Sequence, residues 1–160
     1  IDAWRQANLN LPYKKIPKKN LHITLVFLGN ITDEQQVMLT QYAGRAAEKT
    51  RTCQALDLTL DHCLWFKRAR VLCLANQFTP DWLSALANDL GEQAKSLGIF
   101  QETRPYRPHI SLYRKAKRPA PKSARANIPL SISSFSLYQS ISLETGVIYK
   151  PIKTWSLVEK

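Results

Sequence analysis

Long apolar segments and paired cysteines are both missing from this sequence of 160 residues. No apolar run approaches the roughly 20 residues that a membrane-spanning helix needs, and no basic-then-apolar leader opens the chain. The three cysteines, Cys53, Cys63 and Cys73, form no Cys-x-x-Cys pair, so neither a disulfide framework nor a zinc site is predicted. We therefore expect a cytoplasmic protein without membrane contact, in which each cysteine is a small apolar core residue.

Acidic residues are also scarce: the chain has 12 Asp and Glu but 23 Lys and Arg, for a net charge of +11. The carboxylates, histidines and cysteines do not cluster as a metal-dependent nuclease requires, so no metal and no cofactor are expected. The cations gather instead in residues 14–19 and 104–118. This balance favours polyanions such as RNA, DNA or nucleotides, although a merely basic soluble surface has the same composition.

Histidine is scarce too, yet two of the three histidines carry one pattern. Residues 22–25 read His-Ile-Thr-Leu, and residues 109–112 read His-Ile-Ser-Leu. Both lie in apolar runs, residues 21–28 and 108–113, that are typical of β-strands. Because side chains alternate along a strand, each histidine points to the same face as the hydroxyl residue two places on.

The repeated pattern supplies the same chemistry twice. An imidazole exchanges protons near neutral pH, and a hydroxyl donates a hydrogen bond to an anion. We therefore interpret His22 and His109 as an acid–base pair that faces one cleft, with the anion held by Thr24 and Ser111. The alternative for either copy alone is a half-buried strand histidine with a structural role.

The third histidine, His62, lacks this pattern. We interpret it as structural, with Asp61 or a backbone carbonyl as its partner. The pattern around it therefore does not add a third member to the acid–base pair.

Elsewhere the periodicity predicts an α+β protein in which helices alternate with hairpins. A short helix is expected over residues 1–9. Residues 32–35 form a capping box for a helix that runs to about residue 49, with Val37, Met38, Tyr42 and Ala46 as its buried stripe. A second long helix begins near residue 80 and stops at Gly98. The remaining chain is predicted to form strands over residues 55–60, 63–66, 70–75, 135–143 and 147–158, a turn at 144–146, and long loops over 10–20 and 115–129.

The two histidines are separated by about half of the chain. Each half contains one histidine strand and one long helix, which suggests two similar lobes that meet at a cleft, as a duplication would produce. We therefore expect residues 1–160 to form a single bilobal catalytic domain.

Two segments resemble a known family. Residues 20–29 and 107–114 are similar to the first and second motifs of the bacterial RNA 2′,3′-cyclic phosphodiesterases, once called 2′-5′ RNA ligases, in the 2H phosphoesterase superfamily. Trp65, residues 70–71 and residues 149–157 also resemble that group. The resemblance covers nearly the whole chain and implies two antiparallel sheets that flank a central cleft, with helices on the outside.

The chain departs from the family pattern in two places. Ser111 stands where the family more often has threonine, and this change keeps the hydroxyl. Family members also usually begin with a short apolar strand before the first helix, which is absent here. Without that strand we expect one sheet to expose an edge.

The resemblance implies metal-independent hydrolysis of RNA 2′,3′-cyclic phosphodiester ends to 2′-phosphomonoesters, with RNA or small cyclic nucleotides as partners. It gives His22 as the proton donor and His109 as the proton acceptor. Arg114 could neutralise phosphate with its guanidinium fork or be a solvated strand-end cation. Phe27 could stack a nucleobase, as its counterpart in relatives is thought to do, or be a core residue. By strict alternation, Arg114 and Phe27 both need a twist or bulge to reach the cleft.

Two other functions fit the same residues. A 2′-5′ RNA ligase acting on tRNA halves would use them in reverse. A non-catalytic RNA- or nucleotide-binding module would use the positive charge alone, but such a module has no need of two titrating imidazoles.

Overall fold

The structure is a computed structural model that describes residues 1–52, 55–144 and 146–159. The predicted α+β class with antiparallel sheets is confirmed. Within these residues the helices are α1 (Asp2–Asn8), α2 (Asp33–Thr50) and α3 (Asp81–Ser96), and Lys18–Asn20 forms a short 3₁₀ turn. The strands are β1 (Lys14–Lys15), β2 (Leu56–Leu60), β3 (His62–Phe66), β4 (Val71–Ala75), β5 (His109–Arg114), β6 (Ile128–Ile132), β7 (Ser134–Leu143) and β8 (Gly146–Ser156).

The chain divides into two compact units, each made of three separate segments. The first unit consists of Ile1–Thr24, Leu58–Thr79 and Arg107–Leu130. The second unit consists of Leu25–Asp57, Pro80–Tyr106 and Ser131–Lys160. The histidine and hydroxyl residues of both motifs belong to the first unit, and both long helices belong to the second, so the expectation of one lobe for each half of the chain is wrong. That the whole chain acts as one bilobal catalytic domain stays a prediction.

The first unit is organised around a four-stranded sheet with the order β1-β5-β4-β3. β3 and β4 form the predicted hairpin, and β4 continues the sheet by pairing with β5. The apolar run Leu72–Ala75 is completely buried, as expected for a central strand that is covered on both faces. β5 is therefore held between β4 on one side and β1 on the other.

The predicted first helix, α1, is confirmed and is fastened to this sheet by a buried arginine. Arg5 donates hydrogen bonds to the carbonyl oxygens of Ile16 at 2.6 Å and Leu112 at 3.0 Å, and it pairs with Asp2. Its guanidinium also lies over the Tyr113 ring, 5.7 Å from the centroid. Because these partners lie in α1, in β5 and directly after β1, Arg5 holds α1 against the backbone around β5.

The second unit contains α2, α3 and the long β7–β8 hairpin. The predicted capping box at α2 is confirmed, with Thr32 and Gln35 bonding each other's backbone N–H groups. The predicted stripe is partly wrong, because Val37 is 55% exposed and Met38 50% exposed. The buried residues of α2 are instead Leu39, Ala43, Ala46 and Ala47. Small alanines give a weak apolar signal, although their spacing follows one helical face.

The second predicted long helix is confirmed as α3. It buries Leu83, Leu86 and Ala94, and Gly98 after it has the positive φ of 78° that a left-handed helix stop needs.

The predicted strand over residues 21–28 is wrong as a continuous strand. Only Ile23 makes a β-bridge, and its partner is Ile110. After Thr24 the chain enters the second unit, where Val26 and Leu28 pack in a core with Leu39 and other residues. The alternating burial of this apolar run therefore does not come from one β-ladder. Its first residues pack in the first unit and its later residues pack in the second.

Two short strands were absent from the predictions: β1 falls within the expected loop over residues 10–20, and β6 begins at the end of the expected loop over residues 115–129 and continues to Ile132. Contacts near the end of the basic loop also hold it: Cys63 Sγ lies 3.9 Å from the Ala124 oxygen, and Trp4 Nε1 donates to the Arg125 oxygen at 3.1 Å. The role of Cys53 and the full turn at residues 144–146 lie outside the described residues. No helix in the described part of the chain is long and apolar enough to cross a membrane.

Candidate active site

The histidine and hydroxyl residues of the two motifs lie in the first unit. Ile23 and Ile110 form an antiparallel bridge, so the residues around them are opposed in reverse order. This register places His22 opposite Ser111. Neighbouring side chains alternate between faces, so both point away from the face of the bridging isoleucines.

By the same register, Thr24 lies opposite His109 and on the same face. Directly opposed side chains in such a pair have Cβ atoms about 4.5–5.5 Å apart, and diagonal neighbours are about 7–8 Å apart. The two histidines occupy one diagonal and the two hydroxyl residues occupy the other. We call these four residues the histidine square: His22, Thr24, His109 and Ser111.

Backbone carbonyls set the proton positions in both rings. Nδ1 of His22 lies 2.8 Å from the oxygen of Asn20, and Nδ1 of His109 lies 2.8 Å from the oxygen of Arg107. A carbonyl oxygen only accepts hydrogen bonds, so Nδ1 carries the proton in each neutral ring. Nε2 is then the nitrogen that accepts or donates a proton in chemistry. Each motif thus includes a carbonyl two residues before its histidine.

The second motif is more buried than the first. The edge of one ring meets the other in the Phe66–His109 pair, with centroids 5.0 Å apart and planes at 66°. Ser111 Oγ lies 3.8 Å from Cys73 Sγ. His109 and Ser111 are half-buried, whereas His22 and Thr24 are exposed. Phe66 was not singled out from the sequence, because a phenylalanine at the end of a predicted hairpin strand carries no motif.

A β-bulge interrupts the pairing of β5 with β4. Leu72 is opposite Tyr113, but the next residue of β4, Cys73, is opposite Ser111. Leu112 is therefore an extra residue on β5, and strict alternation along β5 stops there.

The bulge decides which face Arg114 occupies. Arg114 is opposite Val71, and Val71 shares a face with Cys73 because they are two residues apart on β4. Cys73 is opposite Ser111, so Arg114 lies on the same face as the histidine square. The bulge that Arg114 needs in order to reach this face is therefore present. The Arg114 side chain is exposed.

Phe27 belongs to the second unit, and its side chain is 77% exposed. The alternative of a core residue is therefore wrong. The Phe27 backbone is held by Gln101, whose Nε2 donates to the Phe27 oxygen at 3.1 Å. An exposed aromatic ring on a fixed backbone is suited to stacking against a base.

His62 has the predicted partner, since its Nδ1 lies 2.6 Å from Asp61 Oδ1. Burial raises the pKa of Asp61, but hydrogen bonds from His62 and from the Gln77 N–H outweigh burial and leave this pKa below its ordinary value. His62 lies opposite Ala75, which lies opposite His109. It is therefore in the same cross-strand row as the square but two strands from His109.

The described cysteines are free thiols in apolar surroundings. Burial raises the pKa of Cys63 to about 11 and that of Cys73 to about 12. Cys73 is completely buried and Cys63 is half-buried, so the expected core role holds most fully for Cys73. In the described residues, no three His, Cys, Asp or Glu side chains are grouped so that they could hold a metal ion.

Comparison with known proteins gives the same family over most of the chain. A family model described as LigT-like phosphoesterase matches residues 3–73 and 75–149, and each segment contains one histidine motif. The chain is 35% identical over 150 residues to the RNA 2′,3′-cyclic phosphodiesterase of Escherichia coli (strain K12), covering 91% of this chain and 81% of that protein. It is 28% identical over 153 residues to the protein of that name in Archaeoglobus fulgidus, covering 89% of this chain and 82% of that protein.

Solved structures agree with this result. The crystal structure of E. coli LigT complexed with 3′-AMP superposes with a TM-score of 0.82 and 33% identity, covering 99% of this chain and 90% of that one. The apo form of E. coli LigT gives a TM-score of 0.80 at 31% identity, covering 99% and 89%. The chain belongs to the LigT-like phosphoesterase family.

Proposed function

We propose that this protein hydrolyses the 2′,3′-cyclic phosphodiester at the 3′ end of an RNA to a 2′-phosphomonoester. The histidine square carries the proposal, because it combines two imidazoles and two hydroxyl donors on one face. The name of the two relatives, RNA 2′,3′-cyclic phosphodiesterase, supports the same bond as the substrate.

The two imidazoles act on opposite sides of one phosphorus. Neutral His109 accepts a proton from water at Nε2 as the water oxygen attacks phosphorus in line with the 3′ oxygen. Protonated His22 donates its Nε2 proton to the 3′ oxygen as that P–O bond breaks, which leaves the phosphate on the 2′ oxygen. Each proton transfer is typically worth about 10² to 10⁴ in rate. The donor and acceptor roles follow the family resemblance.

The two hydroxyl residues bind the charge that develops on phosphate. Thr24 and Ser111 occupy the second diagonal of the square, so each can donate to a non-bridging oxygen of a phosphate held between the rings. A hydrogen bond to a charged group is worth roughly 1.5–3 kcal/mol. Bonds that shorten in the transition state lower the barrier directly.

Arg114 and Phe27 are assigned to substrate binding. The bulge puts Arg114 on the face of the square, where its guanidinium would neutralise a phosphate next to the cyclic one. The exposed ring of Phe27 would stack a nucleobase.

The free cysteine thiols also support a reducing cytoplasm as the location.

Product analysis tests the proposal. Adenosine 2′,3′-cyclic phosphate is incubated with the enzyme, and the product is compared by chromatography with authentic 2′- and 3′-monophosphates, since these isomers have equal mass. We expect only the 2′ isomer, with the same rate in excess EDTA. The 3′ isomer, or a rate that EDTA abolishes and added metal restores, would contradict the mechanism.

A second arm addresses the ligase alternative. An oligonucleotide with a cyclic phosphate end is incubated with and without an oligonucleotide bearing a 5′ hydroxyl. We expect hydrolysis to dominate in both mixtures. A joined product that forms faster than the hydrolysed one would replace the hydrolase proposal with the ligase.

A further inference from the structure

A strongly basic pocket lies in the first unit, beyond the carboxyl end of β5. Its volume is about 660 Å³. Five of the seven residues that line it are cationic, and the lining consists of Pro12, Tyr13, Lys14, Arg70, Lys115, Lys117 and Arg118. None of these residues belongs to the histidine square, so the proposed chemistry leaves the pocket without a role.

The backbone around this pocket is fixed. Ala116 is completely buried, and its N–H donates to the Arg70 oxygen at 2.9 Å. Its carbonyl accepts a hydrogen bond from Trp65 Nε1 at 3.3 Å. These bonds join the β3–β4 turn to the segment that follows β5. Lys115 and Lys117 therefore flank a residue, Ala116, whose backbone is fixed.

Two of the cationic residues have an unfavourable backbone conformation. Arg70 has a φ of 56° and Lys115 a φ of 60°, and these are the non-glycine residues with positive φ in the part of the chain that the structure describes. Residues that have a Cβ atom rarely adopt this left-handed region of φ and ψ. Such residues cluster at binding sites, where the surrounding structure holds them in place.

Among the described residues, no carboxylate forms an ion pair with the cations of the pocket. Across residues 1–52, 55–144 and 146–159, the ion pairs involve other cations, and none joins a lining residue to Asp or Glu. A neighbouring groove of about 350 Å³ shares Arg70 and Lys117 and adds Trp65 and Lys67. Cations interleaved with an aromatic ring are typical of surfaces that bind single-stranded nucleic acid.

The pocket and the histidine square lie at opposite ends of one strand. β5 begins at His109, and Lys115 follows its last residue, Arg114. At about 3.3 Å per residue this separation is at most about 20 Å, and the bulge at Leu112 shortens it. It corresponds to about six stacked nucleotides at 3.4 Å each, and to fewer in an extended strand. Arg114 lies between the two sites on the face of the square.

We propose that this pocket binds backbone phosphates of the RNA several nucleotides upstream of the cyclic end. The inference rests on the proposed function, because it requires the cyclic end to occupy the histidine square. It predicts that the enzyme prefers an oligonucleotide to a cyclic mononucleotide, and that the preference arises from pocket cations.

A charge-removal experiment tests the pocket. The variant Lys115→Gln/Lys117→Gln/Arg118→Gln is compared with the wild type and with a control, Arg51→Gln/Lys95→Gln/Lys150→Gln, which removes the same charge from exposed residues of the second unit. The substrates are adenosine 2′,3′-cyclic phosphate and a cyclic-phosphate octanucleotide. We expect the pocket variant to lose at least about tenfold in kcat/KM on the octanucleotide, mainly through KM, and less than about twofold on the mononucleotide.

Two further measurements identify the ligand. The slope of log kcat/KM against log salt for the octanucleotide should become shallower by about 2, since each single-strand phosphate contact contributes about 0.7. An octanucleotide with neutral methylphosphonates at its upstream linkages should reproduce the loss in the wild type and add nothing in the pocket variant. Inhibition by inorganic triphosphate combined with no methylphosphonate effect would assign the pocket to free polyphosphate and overturn the proposal.

Equal losses in the pocket and control variants, or a wild type without octanucleotide preference, would also overturn it. Failure of the proposed function is separable, because binding of a 5′-labelled octanucleotide is measured by fluorescence anisotropy without catalysis. Suppose that the wild type hydrolyses neither substrate but the pocket variant binds the octanucleotide more weakly than the wild type does. The hydrolase proposal is then wrong, and the proposal that the pocket binds RNA stands. Binding that does not depend on the pocket overturns the site as well.

Discussion

The two histidine motifs offer the same groups but receive different support from the fold. His109 starts a six-residue strand that pairs with β4, and its ring packs against Phe66. His22 is exposed on a segment that joins the sheet at the Ile23 bridge. The shared feature is the backbone carbonyl that fixes Nδ1 in each ring. The two rings are therefore oriented by the same local contact although their packing differs.

The largest expected effect comes from removing either imidazole. His22→Ala and His109→Ala should each lower kcat by about 10³- to 10⁴-fold, the upper part of the range for one proton transfer. Steady-state kinetics on adenosine 2′,3′-cyclic phosphate measures the loss, with circular dichroism to establish folding. His62→Ala is the matched control and should retain activity within about threefold. A folded, active variant at either square histidine would contradict the pair.

Removing a hydroxyl tests whether Thr24 and Ser111, on the second diagonal of the square, contribute equally to activity. Thr24→Val and Ser111→Ala should each lower kcat/KM by about 10- to 100-fold, in line with one lost hydrogen bond to a charged group. Ser111→Thr restores the hydroxyl and should remain within about threefold of the wild type. If Ser111→Thr were as impaired as Ser111→Ala, the hydroxyl role of Ser111 would be wrong.

The packing difference between the motifs predicts an unequal response to truncation. Phe66→Ala frees the His109 ring on one side and should lower kcat by about tenfold, because small misplacements of a reacting group are costly. Ile23→Ala keeps the backbone bridge beside His22 and should lower kcat by less than about threefold. Phe66→Leu is the control that retains apolar volume. Equal losses for Phe66→Ala and Ile23→Ala would remove the proposed asymmetry.

The smallest effect is expected at the thiols near the second motif. Raised pKa values of about 11 for Cys63 and about 12 for Cys73 keep both protonated at pH 8, where the thiolate is the reactive form. Peptide mapping after iodoacetamide treatment should show little modification of either residue, and treatment with denaturant should expose both. Rapid native alkylation of Cys73 would show that the face beside Ser111 is more open than described.

Local signals in the sequence predicted much of this fold. The capping box located the start of α2, and the apolar run with a basic turn located the β3–β4 hairpin. The members of the histidine square followed from a repeated motif and strand alternation. The pairing register that joins them depends on a long-range bridge, which no local pattern encodes.

The predictions that were wrong or incomplete also depended on long-range packing and strand pairing. Residues 21–28 alternate like a strand because they pack in sequence against two different units. Val37 and Met38 are large and apolar, but α2 buries its alanines, which permit close approach of neighbouring groups. The bulge at Leu112 arises from the pairing of β4 with β5, so the face of Arg114 was not predictable from β5 alone.

A cyclic nucleotide with sulfur in place of the 3′ bridging oxygen separates the roles of the two histidines. A thiolate leaves without protonation, so this substrate needs the water-activating base but not the acid. We expect His22→Ala to recover to within about tenfold of the wild-type rate on the sulfur substrate, whereas His109→Ala stays impaired by about 10³-fold or more. If the substrate rescued neither variant, the two rings would not act as an acid–base pair on one phosphorus.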